Sequence, residues 1–135
     1  MEASLVSIII PTFNSEKFIS ETLQSVRSQT YRNWEIILVD DCSSDNTVAI
    51  ILEMVQKDNR IHFFQLEKNS GTGVARNMGI SNAKGRFISF LDADDLWKPN
   101  KLQRQIDFLA ANNVPFTFSF YDCIDEEGKP LNKRV

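Results

Sequence analysis

The sequence predicts a three-layer α/β/α fold built on a mostly parallel sheet. Short apolar runs rich in β-branched residues alternate along the chain with segments whose apolar residues recur at helical spacing. The runs are continuously apolar, as expected of strands that are covered on both faces. Strands that alternate with helices in this way pair in parallel through right-handed crossovers.

The first strand–helix unit lies at the amino end of the chain. The run from Leu5 to Ile10 predicts a buried strand that ends at Pro11, because proline cannot donate to a sheet ladder. A helix follows, for which Asn14 and Ser15 are the candidate N-caps.

The second and third units repeat this order. The run from Ile36 to Val39 predicts a strand, and Ser43 or Ser44 is placed to cap the helix after it. Ile61 to Leu66 predicts the third strand, and the loop from Asn69 to Gly73 leads into the third helix.

The fourth unit contains the most acidic turn. Phe87 to Leu91 predicts a strand that ends at the turn from Asp92 to Asp95, and Pro99 suits the first turn of a fourth helix. Phe116 to Tyr121 predicts a fifth strand, and a turn is expected from Glu126 to Lys129.

Composition excludes several classes of protein. With 135 residues, 42% of them hydrophobic, the chain can bury one core. A net charge of -3 with no basic run argues against a nucleic-acid partner. The longest apolar run is far shorter than the roughly 20 residues of a membrane span, so we expect a cytoplasmic protein without one. Cys42 and Cys123 have neither disulfide-framework nor zinc-ligand spacing.

Polar segments follow the carboxyl ends of the first four predicted strands. They are Pro11 to Asn14, Asp40 and Asp41, Asn69 to Gly73, and Asp92 to Asp95. Ligands of open α/β sheets bind at these ends. If sheet growth reverses after the third strand, the segments converge on one crevice.

Two acidic pairs are candidates for ligand binding. Asp92 and Asp94 can together reach one hard cation, such as Mg²⁺ or Mn²⁺, with diphosphate oxygens completing its coordination. The alternative is that they only cap the following turn. A carboxylate of Asp40 or Asp41 can accept hydrogen bonds from a nucleobase, with N-capping of the next helix as the alternative.

The glycine-rich loop does not match the common dinucleotide and P-loop motifs. Arg76 stands where the nicotinamide fingerprint that starts at Gly71 and Gly73 needs its third glycine, and no Walker A lysine is present. Arg76 lies early in a helix, where it can contact a diphosphate or Asp94, or form only a surface ion pair.

Aromatic residues and the single histidine add weaker candidates. Phe13 can stack on a base or be part of the core. Trp97 can form a wall of a sugar site or pack against the sheet. His62 lies within a predicted strand and is interpreted as structural.

Four blocks, in order, resemble family 2 glycosyltransferases with the GT-A fold, a Rossmann-like nucleotide-diphospho-sugar transferase fold. The blocks are VSIIIPTFN, QTYRNWEIILVDDCSSDNT, NSGTGVARNMGISNAKG and FLDADDLWKPNKL. The resemblance implies a nucleotide-diphospho-sugar donor, commonly a UDP- or dTDP-sugar, a divalent metal and inversion at the anomeric carbon. It implies a glycan or lipid-linked acceptor, and peripheral association with the inner face of the plasma membrane.

The resemblance also implies roles for individual residues. The donor-binding residues would be Pro11, Thr12 and Phe13 along the nucleoside, Asp41 on the base, Gly71 in the phosphate loop, Arg76 near the diphosphate, Asp92 near the ribose or metal, and Asp94 as the direct metal ligand. Residues 1–121 would then form the nucleotide-sugar-binding domain. Residues 122–135 would be a tail leading toward an acceptor-binding half.

The catalytic base has no candidate in a matching block. An inverting enzyme needs a carboxylate that takes the acceptor proton, and this family has it after the donor-binding half. The tail carboxylates of Asp122, Asp125, Glu126 and Glu127 do not lie in such a block, so we expect a truncated chain whose base lies beyond residue 135. Two alternatives are a non-catalytic nucleotide-sugar-binding module and, less favoured, a phosphoacceptor domain with Asp40 and Asp41 as its acidic pair.

Overall fold

The structure is a computed structural model that describes residues 3–134. Strands and helices alternate through most of the chain, as predicted. The strands are β1 (Val6–Thr12), β2 (Trp34–Asp40), β3 (Ile61–Gln65), β4 (Phe87–Phe90), β5 (Asp122–Ile124) and β6 (Pro130–Arg134). The helices are α1 (Ile19–Arg27), α2 (Thr47–Lys57), α3 (Thr72–Asn82) and α4 (Lys101–Asn112).

The chain forms two compact units that divide between Lys101 and Leu102. The first contains β1 to β4 and α1 to α3. The second contains almost all of α4 and the antiparallel hairpin of β5 and β6, whose turn lies at the predicted residues. A functional boundary between residues 121 and 122 stays a prediction.

The sheet of the first unit is parallel, and its strand order is β3-β2-β1-β4. This confirms the predicted parallel pairing. The chain adds β2 and β3 on one side of β1 and then returns to add β4 on the other side. Sheet growth therefore reverses after β3, and the carboxyl ends of β1, β2 and β4 meet at one edge, beside a topological switch point.

Helices cover both faces of the sheet at β1 and β2, whereas one face of β4 is exposed, with Ile88 at 44% and Phe90 at 47%. All seven residues of β1 and all seven of β2 are buried. On one face Ala75 of α3 packs in a cluster with Ile37 and Val39. A Cβ added to Gly79 would lie 2.5 Å from Cγ2 of Ile9, so α3 lies directly on β1 at that point. The face of β1 and β2 opposite α3 is also buried. The helices α1 and α2 pack on each other and form the layer on that face, as predicted.

A buried polar cluster closes the opposite end of the sheet, at the amino ends of the strands. The carboxylate of Glu35 accepts hydrogen bonds from the hydroxyl of Ser7 at 2.6 Å and from the backbone N–H of Lys84 at 2.8 Å. Nε2 of His62 lies 3.5 Å from Glu35. A Cβ on Gly85 would lie 2.6 Å from the backbone nitrogen of Ser7, so the chain passes close to β1 before it enters β4. His62 is thus a structural neighbour of Glu35, as interpreted from the sequence.

The prediction of a fifth strand from Phe116 to Tyr121 is wrong. These residues form no strand, and the side chain of Phe118 is 77% exposed. Alternating phenylalanines fit the two-residue period of a strand, but a strand also needs a neighbour for its backbone groups. In the second unit, the ladder forms instead between β5 and β6.

The predicted helix caps are also wrong, although both helices exist. α1 begins at Ile19 and α2 at Thr47, after the predicted caps in each case. The side-chain oxygen of Asn14 accepts a hydrogen bond from the N–H of Ser44 at 2.8 Å, and the hydroxyl of Ser43 accepts one from the N–H of Asn14 at 2.9 Å. These side chains therefore join the loop after β1 to the loop after β2 and do not cap a helix.

No helix among residues 3–134 has the length and apolarity to cross a bilayer.

Candidate functional site

A pocket of about 560 Å³ opens at the edge where β1, β2 and β4 end. The loops after these strands and the first turns of α3 form its wall. Its lining residues are Pro11, Thr12, Phe13, Asn14, Ser15, Phe18, Asp41, Thr72, Ala75, Arg76, Asp92, Ala93 and Asp94. The size is that of an ordinary small-molecule site.

The structure brings together nearly all of the residues that the sequence singled out. Every predicted donor-binding or metal-binding residue lines the pocket, with the exception of Gly71. Gly71 lies just behind the wall, and its N–H donates to the carboxylate of Asp41 at 2.9 Å. Trp97 is not among the lining residues. Its backbone N–H donates to the hydroxyl of Ser25 at 3.2 Å, and the ammonium of Lys101 lies 4.3 Å from the centre of its ring.

Asp41 connects two of the loops that form the pocket. One carboxylate oxygen accepts the N–H of Ser70 at 2.6 Å, and the other accepts the N–H of Gly71. The side-chain amide of Asn69 donates to the carbonyl of Asp41 at 3.1 Å. A carboxylate oxygen can accept about two hydrogen bonds, so each retains acceptor capacity toward the pocket.

Asp40 has a different environment from its neighbour. It is fully buried, and its carboxylate accepts hydrogen bonds from Thr12, Ser43 and Gln65. These partners belong to three separate segments, so Asp40 joins the ends of β1 and β3 to the loop after β2. Of the acidic pair, only Asp41 lines the pocket.

The aromatic residue after β1 is available for stacking. Phe13 lines the pocket with 51% of its surface exposed, which argues against the alternative of a core residue. The exposed ring lies on the same rim as Asp41.

The loop after β4 presents two carboxylates on either side of a buried residue. Ala93 is only 7% exposed, whereas Asp92 and Asp94 are both exposed. The hydroxyl of Thr22 in α1 donates to the carbonyl of Ala93 at 2.8 Å. Because α4 begins only at Lys101, the acidic pair is too far from a helix to act as its N-cap.

Arg76 completes the charged side of the pocket. Its guanidinium donates to Oδ1 of Asp92 at 3.0 Å, and both side chains are partly exposed. Its Nε is buried without a hydrogen-bond partner. The side chain as a whole is 40% exposed, so the accessible part of the guanidinium, and not Nε, can contact an anion in the pocket.

The acidic loop carries uncompensated negative charge. Burial raises the pKa of Asp95, and the neighbouring charges of Asp94 and Asp92 raise it further. Repulsion of this kind favours a cation nearby. Among residues 3–134, however, no cluster of three or more His, Cys, Asp or Glu side chains is arranged to hold a metal ion by itself.

Hydrogen bonds join the loop after β1 to the loop after β2 beside the pocket. The backbone N–H of Glu16 donates to Asp45, and the carboxylate of Glu16 accepts the N–H of Asn46 at 2.9 Å. The N–H of Ser15 donates to Thr47 at 2.7 Å. Burial alone would raise the pKa of Asp45, but hydrogen bonds from Thr47 and Glu16 lower it below its ordinary value.

Sequence reasoning missed part of this site. Ser15, Phe18, Thr72 and Ala75 line the pocket without having been predicted to do so. Their position in the sequence could have indicated this, because each lies within or shortly after a segment that follows the end of a strand. Thr22 had no such signal, because it lies on a helix 71 residues before the carbonyl that it binds.

Comparison with known proteins gives a consistent result. The family model described as "Glycosyl transferase family 2" matches residues 7–134. The UDP-Glc:alpha-D-GlcNAc-diphosphoundecaprenol beta-1,3-glucosyltransferase WfgD of Escherichia coli is 46% identical over 125 residues, which cover 93% of this chain and 49% of that protein. The chain spans about half the length of the curated relatives it matches, WfgD among them.

Two solved structures are similar in fold and in sequence. S. aureus TarS 1-349 in complex with UDP-GlcNAc superposes with a TM-score of 0.75 at 37% identity, over 80% of this chain and 32% of that one. Mannosyltransferase PcManGT from Pyrobaculum calidifontis, in complex with GDP-Man and Mn2+, gives a TM-score of 0.76 at 25% identity, over 91% of this chain and 36% of that one. The predicted GT-A fold is confirmed.

Proposed function

The chain belongs to glycosyl transferase family 2, and from this premise we propose that its pocket binds a nucleotide-diphospho-sugar as the donor of an inverting, metal-dependent transfer. The observation that carries the proposal is the meeting of Asp41, Arg76 and the Asp92–Asp94 pair in one pocket. The favoured donor is a UDP-sugar or a dTDP-sugar. Support comes from TarS, which was solved with UDP-GlcNAc.

The nucleoside is proposed to lie along the loops after β1 and β2. There Phe13 offers an exposed ring for stacking, and Asp41 retains acceptor capacity for the N–H group of a base. Pro11 and Thr12 form the floor beneath them. Among the described residues, the lining of this end of the pocket includes no Lys or Arg side chain.

The diphosphate is proposed to lie between Arg76 and the acidic loop. Arg76 lines the pocket with 40% of its side chain exposed, and guanidinium groups suit phosphate oxygens. In the structure Arg76 pairs with Asp92. A bound diphosphate would take the place of Asp92 as the partner of the guanidinium.

The donor atoms of the acidic loop fit a hard divalent cation. Asp92 and Asp94 offer oxygen ligands, which Mg²⁺ and Mn²⁺ prefer, and diphosphate oxygens and water would complete the coordination. The negative charge on this loop favours a cation as well. A cation bound there would offset the charge that develops on the departing diphosphate.

Inversion needs a base for the acceptor hydroxyl, which attacks the sugar carbon opposite the diphosphate. Two of the four tail carboxylates are engaged within the hairpin: Asp125 accepts the N–H groups of Glu127 and Lys129, and Glu127 pairs with the ammonium of Lys129 at 2.8 Å. These groups form the hairpin turn. We therefore place the base beyond residue 135, which agrees with the half-length match to relatives.

The acceptor is proposed to be a glycan or a lipid-linked sugar, and the enzyme to work in the cytoplasm at the inner face of the plasma membrane. The support is the name of WfgD, whose acceptor is a diphosphoundecaprenol-linked sugar. A hexosyl group is the transferred sugar that this comparison favours.

A thermal-shift series tests the donor proposal. We expect UDP or dTDP with Mn²⁺ to raise the melting temperature of the 135-residue chain, and more so than the same nucleotide with EDTA. A ligand at a hundred times its Kd adds about 2.7 kcal/mol to the free energy of unfolding. Uridine and inorganic phosphate, each with Mn²⁺, are the matched controls. If neither UDP nor dTDP exceeded these controls, and GDP did not either, the chain would have no nucleotide-diphosphate site.

A further inference from the structure

The helix α1 carries a stripe of polar residues on the face that meets the loop after β4. The α1 stripe consists of Thr22 and Ser25 within the helix and of Gln29 just after its end. Their spacing places them on one side of the helix. We propose that Thr22 is a positioning residue, which holds Asp92 and Asp94 in the geometry needed to bind a metal–diphosphate. The inference rests on the proposed function of the pocket.

Thr22 binds the acidic loop at its midpoint. Its side chain is fully buried, and its hydroxyl donates to the carbonyl of Ala93 at 2.8 Å. Ala93 is the residue between the two aspartates, and the turn is closed beside it by a hydrogen bond from the N–H of Asp95 to the carbonyl of Asp92 at 3.1 Å. A carbonyl fixed at this point restrains the direction of both flanking carboxylates.

The rest of the α1 stripe holds the continuation of the same loop. The hydroxyl of Ser25 accepts the N–H of Trp97 at 3.2 Å, and it donates to the carbonyl of Thr22 at 2.7 Å. The side-chain amide of the buried Gln29 donates to the carbonyl of Lys98 at 2.8 Å. The acidic loop is thus attached to one rigid element at successive points.

The attachment has a reason in the composition of the loop. Four of the residues from 91 to 95 are acidic or small, and within residues 3–134 the last backbone hydrogen bond of this segment to β1 runs from the N–H of Leu91 to the carbonyl of Ile9 at 3.1 Å. Mutual repulsion among Asp92, Asp94 and Asp95 would separate these side chains in a loop without anchors. Two ligands must be held within a fraction of an ångström to bind one small cation, so the anchor at Ala93 controls affinity for the metal–diphosphate.

Calorimetric titration of UDP into the 135-residue chain, with Mn²⁺ and with EDTA, tests the inference. Thr22→Val keeps the shape of the side chain and removes the hydroxyl. We expect this variant to lose about tenfold of the affinity for UDP in Mn²⁺ while its affinity in EDTA stays unchanged. Thr22→Ser restores the donor and with it the wild-type affinity. Ser20→Val is the matched control, since Ser20 lies on the exposed face of the same helix.

The outcomes separate the two proposals. Wild-type affinity for UDP in Mn²⁺ in the Thr22→Val variant would overturn the positioning role, and so would an equal loss in Mn²⁺ and in EDTA. If the wild-type chain itself gained nothing from Mn²⁺, the proposed function would fail first. Circular dichroism checks the fold. If Thr22→Val does not fold, Thr22→Ala also removes the hydroxyl that binds Ala93, and wild-type affinity for UDP in Mn²⁺ in that variant would overturn the role.

Discussion

Asp94→Asn is expected to remove the Mn²⁺-dependent part of UDP affinity, a loss on the order of a hundredfold, without changing the melting temperature of the free protein. The substitution keeps the size of the side chain but replaces a charged oxygen ligand with a weaker neutral one. Asp94 is exposed, and no hydrogen bond within the described chain depends on its carboxylate, so the fold does not need its charge. Titration calorimetry with Mn²⁺ and with EDTA measures both contributions to the affinity.

Glu53→Gln is the matched control for this variant. It removes one negative charge from the exposed surface of α2, and Glu53 does not line the pocket. We expect it to bind UDP as the wild type does in Mn²⁺. Unchanged binding by Asp94→Asn would mean that the acidic loop takes no part in holding the donor.

Asp41→Asn is expected both to destabilise the protein and to weaken nucleotide binding. The carboxylate accepts two backbone N–H groups, from Ser70 and Gly71, and an amide has only one oxygen to offer them. One partly buried donor is left facing an NH₂ group, which costs about 1 kcal/mol of unfolding free energy, at the low end of the penalty for a lost partner. Urea denaturation measures this loss.

The same variant should bind UDP about tenfold more weakly in EDTA as well as in Mn²⁺, because Asp41 acts on the nucleoside and not on the metal. This distinguishes it from Asp94→Asn, whose effect is confined to Mn²⁺. Glu67→Gln, a change of one exposed carboxylate after β3, is the control for the altered charge. Wild-type affinity in Asp41→Asn would remove this residue from the nucleoside site.

The strand pattern of the sheet was predictable because it depends on local composition. Continuous apolar runs such as Ile36 to Val39 have few conformations other than a strand buried on both faces. The loops of the site could be located for the same reason, since ligands of open α/β sheets bind where strands end. What the pattern left open was the strand order, which depends on where β4 returns to the sheet.

The sequence could not predict contacts that depend on distant partners. Asn14 has the composition of a helix cap, but its side chain binds the N–H of Ser44, 30 residues away. The exposed Phe118 lies in a segment with strand periodicity and no strand. In the sequence Thr22 is an ordinary helical threonine, and only the fold places the carbonyl of Ala93 beside its hydroxyl. Each case depends on the tertiary position of a backbone group, which local patterns do not contain.

The two acidic pairs show how structure resolves alternatives that the sequence left open. Asp40 and Asp41 are adjacent, yet the first is buried among structural partners and the second lines the pocket. The alternative that Asp92 and Asp94 cap the following turn is disfavoured because, within residues 3–134, neither carboxylate accepts a backbone N–H of that turn and Asp92 instead pairs with Arg76. A residue's chemistry therefore follows from the groups around it more than from its place in a motif.

Paramagnetic broadening by Mn²⁺ tests the central claim most directly, because it locates the metal on the donor-bound protein. Small additions of Mn²⁺ to the ¹⁵N-labelled chain with UDP are predicted to broaden the amide signals of Ala93 and Asp94 first. The amides of Lys84 and Gly85, at the amino ends of the strands and roughly 20 Å away along β1, should broaden last. Broadening that began elsewhere, or that was the same in Asp94→Asn, would contradict a metal–diphosphate site at the acidic loop.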